Sequence, residues 1–313
     1  MSSPSDGDAG DALRSHFEAG QRFAAAGAVD KALAAYRAAL AVATAPAERA
    51  MVLLHTSRLY RLRASWDDAV TAAREAQRLA EEAGDDELVA EAMNAELGTY
   101  ALRGRFADGH ALAEQALARA RSPRIRGMLL QNRGVLAARA RDFDAAERWF
   151  AESIAAFREA GFERGLAAAL TNAAAAALDA GDPARALHLA GEGADVAMRI
   201  QAFDYVVLAL QNKGEALAGL GRLDEAESML GRTLGHFASS GDVLRQAECL
   251  EILGGLHARR DGGHATAVRC LSRAADLASV AGDPVLSERV AGRLARLGAE
   301  PAASAAATAP AAR

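Results

Sequence analysis

The chain has 313 residues, of which 51% are hydrophobic and only 5% aromatic, so small side chains must build most of its core. A formal net charge of −5 excludes the basic surface that is typical of nucleic-acid-binding proteins. Residues 1–10 lack the apolar run of a signal peptide, and no stretch of 18 apolar residues predicts a membrane span. We therefore expect a cytoplasmic protein that binds neither nucleic acid nor membranes.

A turn followed by a helix that opens with a small residue recurs seven times along the chain. In two clear copies, Gly104–Gly109 and Gly221–Ala226, a glycine ends one helix and an acidic residue near the start of the next favours its dipole. The last residue of each copy, here called the anchor, lies at positions 32, 69, 109, 146, 186, 226 and 267. The anchors predict seven pairs of helices, with helix A before each turn and helix B starting near each anchor.

Small residues recur at two further places, at one of them in six repeats and at the other in all seven, which predicts that the two helices of a pair nearly touch there. The first place lies twelve residues before the anchor and holds Gly20, Ser57, Gly134, Ala174, Gly214 and Gly255. The second lies seven residues after the anchor and holds Ala39, Ala76, Ala116, Ser153, Gly193, Thr233 and Ala274. In the third repeat Gly98 lies only eleven positions before the anchor, as if helix A lacked one residue. Each pair alone leaves an apolar face uncovered, and stacking of neighbouring repeats buries it.

The repeat spacing is 37, 40, 37, 40, 40 and 41 residues. The pattern resembles the tetratricopeptide repeat family from about Asp11 to Ala281, in the long form of about 40 residues known from kinesin light chain and bacterial Rap-type regulators. The resemblance implies an all-α fold, a right-handed superhelical solenoid whose concave groove binds a protein or peptide. In the two 37-residue repeats, Pro46 and Pro123 replace the glycine turn after helix B, which predicts shorter loops.

The ends of the chain follow a different pattern from the repeats. Apolar residues at helical spacing over 284–297 predict one more helix, which caps the open end of the solenoid. Residues 299–313 are rich in alanine and proline without periodicity, and we expect them to be disordered, as we expect of residues 1–10. The predicted solenoid therefore occupies residues 11–298.

Sequence motifs of enzymes are absent: the chain has no phosphate-binding loop, no nucleophile elbow and no HExxH metal motif. Cys249, Cys270, His257 and His264 all fall in the last repeat, where a metal site is conceivable, but free cysteines are usually buried helix residues. We predict no metal site, no cofactor and no catalytic residues.

Asparagine recurs at one position in three consecutive repeats, fourteen residues before the anchor, as Asn132, Asn172 and Asn212. In the family that the chain resembles, this position of helix A faces the concave groove, where an asparagine amide can bind the backbone of a partner peptide. The alternative is that each amide bonds within or between helices and holds the stack in register. The spacing alone leaves both open, although asparagine is disfavoured inside helices and its recurrence asks for a reason.

Other polar side chains are expected beside this row. Gln131, Arg139, Gln211 and Glu215 flank it, and the second repeat adds a basic cluster on one helix face, formed by His55, Arg58 and Arg61. The cluster suits an acidic segment of a partner, although exposed arginines often simply face solvent.

The sequence thus predicts a protein- or peptide-binding scaffold or adaptor that uses its concave groove. The alternative is a regulatory protein that responds to a ligand or signal peptide and controls a transcription factor or kinase. Neither the partner nor self-association can be read from the sequence.

Overall fold

The computed structural model describes the backbone of residues 6–307 and the side chains of residues 10–298 apart from Phe203 and Val285. Residues 6–307 form fifteen helices and no strand, which confirms the predicted all-α repeat of seven pairs and one further helix. They are α1 (Asp6–Ala25), α2 (Val29–Val42), α3 (Pro46–Leu62), α4 (Trp66–Glu82), α5 (Asp86–Arg103), α6 (Phe106–Arg119), α7 (Pro123–Arg139), α8 (Phe143–Glu159), α9 (Glu163–Asp179), α10 (Pro183–Arg199), α11 (Phe203–Gly219), α12 (Leu223–Ser240), α13 (Val243–Ala258), α14 (His264–Ala281) and α15 (Pro284–Ala307).

The even-numbered helices are the predicted B helices, and each anchor is the fourth residue of one of them. All seven anchors are buried. The turn before each B helix contains one residue in the left-handed conformation, with φ from 56° to 80°. These residues are Gly27, Ala64, Gly104, Arg141, Gly181, Gly221 and Gly262. The turn geometry therefore persists in the two repeats that lack glycine, at a conformational cost that glycine avoids.

The chain divides after Ala176, within α9, into two compact units. In the first unit α1 packs on α2, α3 on α4, α5 on α6 and α7 on α8, and α5 also touches both α3 and α7 directly. In the second unit α11 packs on α12 and α13 on α14, while α15 contacts both α13 and α14. Each unit therefore presents a row of neighbouring A helices.

Glycine permits close helix contact where the sequence predicts it. A Cβ atom added to Gly134 would lie 2.8 Å from the Phe150 ring, and one on Gly214 would lie 2.7 Å from Cγ of Leu230. In the seventh repeat this contact belongs to Gly254, which faces Leu271, and not to the predicted Gly255. The repeat is 41 residues long, and its extra residue in the turn before α14 shifts helix A by one position relative to the anchor.

The structure corrects the loop lengths predicted from the prolines. Pro46 and Pro123 are the first residues of α3 and α7, a position where the backbone N–H has no partner within the helix and proline is therefore tolerated. The loop before each of these helices has three residues, as does the loop before α5. The 37-residue repeats are short because their B helices, α2 and α6, have 14 residues whereas α4 and α8 have 17.

Two predicted disordered segments are also partly helical. Helix α1 begins at Asp6, so residues 6–10 are helical. Helix α15 continues to Ala307, ten residues beyond the predicted end of the cap, because its last turns are rich in alanine, the strongest helix former. Residues 1–5 and 308–313 lie outside the described residues.

Candidate functional site

All nine predicted site residues lie on A helices. They are His55, Arg58 and Arg61 on α3, Gln131, Asn132 and Arg139 on α7, and Asn172 on α9, all in the first unit, with Gln211 and Asn212 on α11 in the second. The structure brings Arg58, Arg61 and Asn132 to one place. It leaves Arg139 exposed in the last turn of α7.

That place is the line along which α3, α5 and α7 touch, called here the A-helix seam and formed by Arg58, Arg61, Asn94, Gly98 and Asn132. The guanidinium group of Arg61 lies so close to Gly98 that a Cβ atom there would overlap its Nη1. The same Cβ position is 3.7 Å from Nδ2 of Asn132. Gly98 is thus the residue that admits an arginine side chain between two A helices.

Arg61 carries a charge that the described part of the chain leaves uncompensated. Burial, and secondarily the positive charge of Arg58, lower the pKa of the Arg61 guanidinium from its usual value. The guanidinium group of Arg61 forms no ion pair or hydrogen bond with any described residue. Since a desolvated cation gains most from an opposite charge, this side chain favours a carboxylate arriving from outside the chain.

The three asparagines are all half-buried. Nδ2 of Asn132 donates a 2.9 Å hydrogen bond to Oδ1 of Asn94 on the neighbouring A helix, which is the interhelical bond that the structural alternative expects. Oδ1 of Asn132 has no partner among the described residues, and the side chain of Asn172 makes no hydrogen bond to any of them. Asn132 therefore combines a bond between helices with a free acceptor.

The two predicted glutamines are also half-buried. Oε1 of Gln211 is buried without a hydrogen-bond partner among the described residues. Gln131 precedes Asn132 on α7 and does not join the seam contacts.

His55 lies in an aromatic cluster instead of facing a ligand freely. Its ring meets Phe17 edge-on at 4.9 Å between centroids, and Nδ1 is 3.4 Å from the hydroxyl of Tyr36. Burial, and secondarily the charge of Arg58, lower the pKa of His55 to about 4. The imidazole is therefore neutral at pH 7 and packs as part of the core between α1, α2 and α3.

The lowered pKa of His55 predicts a pH-dependent stability. A folded-state pKa of about 4 lies below the usual 6.5, so the unfolded chain binds the proton more tightly. The stabilisation is complete above pH 6.5 and is lost as the pH falls towards 4. Between pH 7 and pH 5 the wild type should lose about 2 kcal/mol more stability than His55→Gln in urea titrations. Parallel pH profiles for the two proteins would contradict this environment for His55.

Sequence reasoning named Glu215 but missed the polar cluster around it, which is formed by α11, α13 and α15 in the second unit. The buried carboxylate of Glu251 on α13 accepts hydrogen bonds of 2.6–2.9 Å from Arg289 and lies 3.1 Å from Nε of Arg293, both on α15. Burial raises the pKa of Glu215 on α11, and the positive charges of Arg293 and Arg289 oppose this rise. Glu251 lies 40 residues after Gln211 and is its equivalent in the seventh repeat. Counting from the anchor does not show this equivalence, because helix A of the seventh repeat is shifted by one position.

Ion pairs between repeats also escaped the sequence analysis. Arg74 of α4 bonds the buried carboxylate of Glu96 on α5 at 2.9 Å, and the Tyr100 hydroxyl donates to the same carboxylate. Glu114 of α6 lies 3.2 Å from Arg133 of α7. In both pairs a residue five positions after one anchor meets a residue thirteen positions before the next anchor. Opposite charges at these two positions of the repeat could have revealed both ion pairs from the sequence.

The described residues hold neither a candidate metal cluster nor a candidate membrane span. Among them, no three histidine, cysteine or acidic side chains are grouped to hold a metal ion. No helix in the described part of the chain is long and apolar enough to cross a membrane. Burial raises the pKa of the Cys249 thiol to about 12.

The chain is similar in sequence to a known regulatory protein. No protein-family model matches the chain. The regulatory protein AfsR of Streptomyces griseus is 30% identical over 216 residues, which make up 68% of this chain and 21% of AfsR. The chain thus matches about a fifth of that relative's length.

Solved structures show the same fold at low sequence identity. A Rap protein complexed with competence and sporulation factor has a TM-score of 0.60 at 12% identity, covering 94% of this chain and 98% of that one. NprR in complex with its cognate peptide NprX has a TM-score of 0.52 at 14% identity, covering 68% of this chain and 65% of NprR.

Proposed function

We propose that this chain, which has the tetratricopeptide-repeat fold, is a regulatory or adaptor protein that holds an acidic segment of a partner polypeptide on its A-helix seam. The observation that carries the proposal is the half-buried guanidinium group of Arg61, which has no carboxylate partner among the described residues. The proposed role is binding without catalysis, in the cytoplasm.

The chemistry of the seam suits an extended acidic peptide. A guanidinium group offers paired N–H donors that match a carboxylate, and Arg58, exposed one turn away, adds a second positive charge. The free Oδ1 of Asn132 accepts a backbone N–H of the same peptide, because an amide can donate on one side and accept on the other. Asn172 and Asn212 keep the same proposed role, each within its own unit.

The comparisons support a regulatory version of this role. The sequence relative is named a regulatory protein, and two structures with the same fold hold a factor or a cognate peptide. We infer that binding of a peptide by this chain controls the activity of another protein, such as a transcription factor or a kinase. Such control requires that the peptide and the controlled protein bind the chain with coupled affinities.

Two pools of acetylated, amidated nonapeptides test the seam, one with glutamate and one with glutamine fixed at the centre. We expect the wild type to retain the glutamate pool preferentially, and Arg61→Met to retain about tenfold less of it, a loss of about 1.4 kcal/mol. Arg126→Met on α7, which removes another exposed arginine, should bind as the wild type does. Equal retention of the glutamate pool by wild type and Arg61→Met would reject the seam as the binding site.

A further inference from the structure

The second unit contains a groove between two B helices. This B-helix groove lies between α10 and α12 over α11 and has a volume of about 930 Å³. Leu187, Leu217 and Met229 supply apolar lining, and Lys213 of α11 lies among them. Lys213 is half-buried and forms no ion pair with any described residue.

The equivalent place in two earlier repeats is filled by the chain itself. In the third repeat Glu96 lies thirteen positions before the anchor and binds Arg74 of the preceding B helix. In the fourth repeat Arg133 holds that position and binds Glu114, while its guanidinium group stacks 3.8 Å from the Trp149 ring centroid. In both repeats a charged residue at this position of helix A forms an ion pair with the preceding B helix.

The sixth repeat has a charged residue at this position of helix A but no opposite charge at the matching position of the preceding B helix. Lys213 lies thirteen positions before its anchor, and the residue in the register of Arg74 and Glu114 is Gly191. A Cβ atom on Gly191 would meet nothing within 4 Å, so no packing contact with the described residues requires glycine there. The corresponding groove beside Arg74 has a volume of about 510 Å³, so the space over Gly191 is larger.

We propose that the B-helix groove is a second binding site, which takes the carboxylate side chain of a polypeptide partner in the place that Glu114 occupies against Arg133. The carboxylate pairs with Lys213, and Arg232 at the groove edge, which also has no acidic partner among the described residues, adds to the attraction. Apolar residues beside the partner's carboxylate pack on Leu187 and Met229. Two acidic residues of the groove are already paired, Glu225 with Arg222 and Asp224 with Arg260. Lys213 and Arg232 therefore remain as groove cations without an acidic partner among the described residues.

Supplying the missing carboxylate within the chain tests the geometry without any partner. Gly191→Glu should melt about 1–2 °C above Gly191→Gln, because only glutamate can pair with Lys213. In a Lys213→Met background this difference should disappear. A difference that survives Lys213→Met, or none in the wild-type background, would overturn the proposed pairing.

The fixed-glutamate and fixed-glutamine pools test binding when the seam is disabled by Arg61→Met. This variant should still retain the glutamate pool about threefold better than the glutamine pool. Adding Lys213→Met or Gly191→Glu should abolish that residual preference, whereas Gly231→Glu, an equally open glycine on the exposed face of α12, should preserve it. No residual preference in Arg61→Met, or one unaffected by Lys213→Met, would overturn the groove while leaving the seam standing.

Discussion

Replacing Arg289 and Arg293 together by methionine is expected to destabilise the second unit by about 3 kcal/mol. The carboxylate of Glu251 is 3% exposed, accepts charge-assisted hydrogen bonds from Arg289 and forms an ion pair with Arg293, both on α15. Without them a buried negative charge has no counter-charge, which costs far more than the loss of an exposed ion pair. Urea unfolding followed by circular dichroism gives the free energy of unfolding, and hydrogen exchange reports whether α15 detaches first.

Two controls separate the buried charge from the loss of arginine itself. Arg296→Met removes an exposed arginine from the same helix and should change stability by less than about 0.5 kcal/mol. Adding Glu251→Leu to the double variant removes the stranded carboxylate and should restore much of the lost stability. A double variant as stable as the wild type would show that the cluster does not hold α15 on α13.

Gly214→Val is expected to destabilise the second unit by about 2–3 kcal/mol through overpacking. A Cβ atom at this position already lies within 2.8 Å of two carbon atoms of Leu230, whose side chain is fully buried. Helices α11 and α12 must therefore separate, or Leu230 must leave its packed conformation. Thermal and urea unfolding measure the loss.

Gly231→Val on α12 is the matched control, because a Cβ atom there meets nothing within 4 Å. Valine has a slightly better helix propensity than glycine, so this variant should unfold at the wild-type midpoint or a little above it. If Gly214→Val melts together with Gly231→Val, the two helices do not approach closely at Gly214.

The sequence predicts the repeat architecture closely because local chemistry sets it. A residue able to adopt positive φ ends each A helix, and a small anchor follows three residues into the next helix, so the turns can be located by spacing alone. The helix ends at residues 6 and 307 and the length of α2 are less predictable, because propensity, capping and packing compete there within fractions of a kcal/mol.

The binding site is only partly predictable, because it depends on contacts between repeats. The sequence places Arg61 and Asn132 on A helices, but only packing shows that Gly98 admits the Arg61 side chain and that Asn94 receives a bond from Asn132. His55 fits the basic cluster by spacing, yet its neighbours Phe17 and Tyr36 come from other helices and keep it neutral. Residues far apart in sequence thus decide whether a polar side chain binds a ligand or stabilises the stack.

Photo-crosslinking tests the central claim, that the A-helix seam holds the partner, most directly. The most strongly retained peptide of the glutamate pool would carry a photoreactive group beside its glutamate, and mass spectrometry would locate the crosslinked residues. We predict crosslinks on α3, α5 and α7 near Arg58, Arg61 and Asn132, and their loss in Arg61→Met. Crosslinks confined to the B helices α4, α6 and α8 in the first unit, unchanged in Arg61→Met, would contradict the claim.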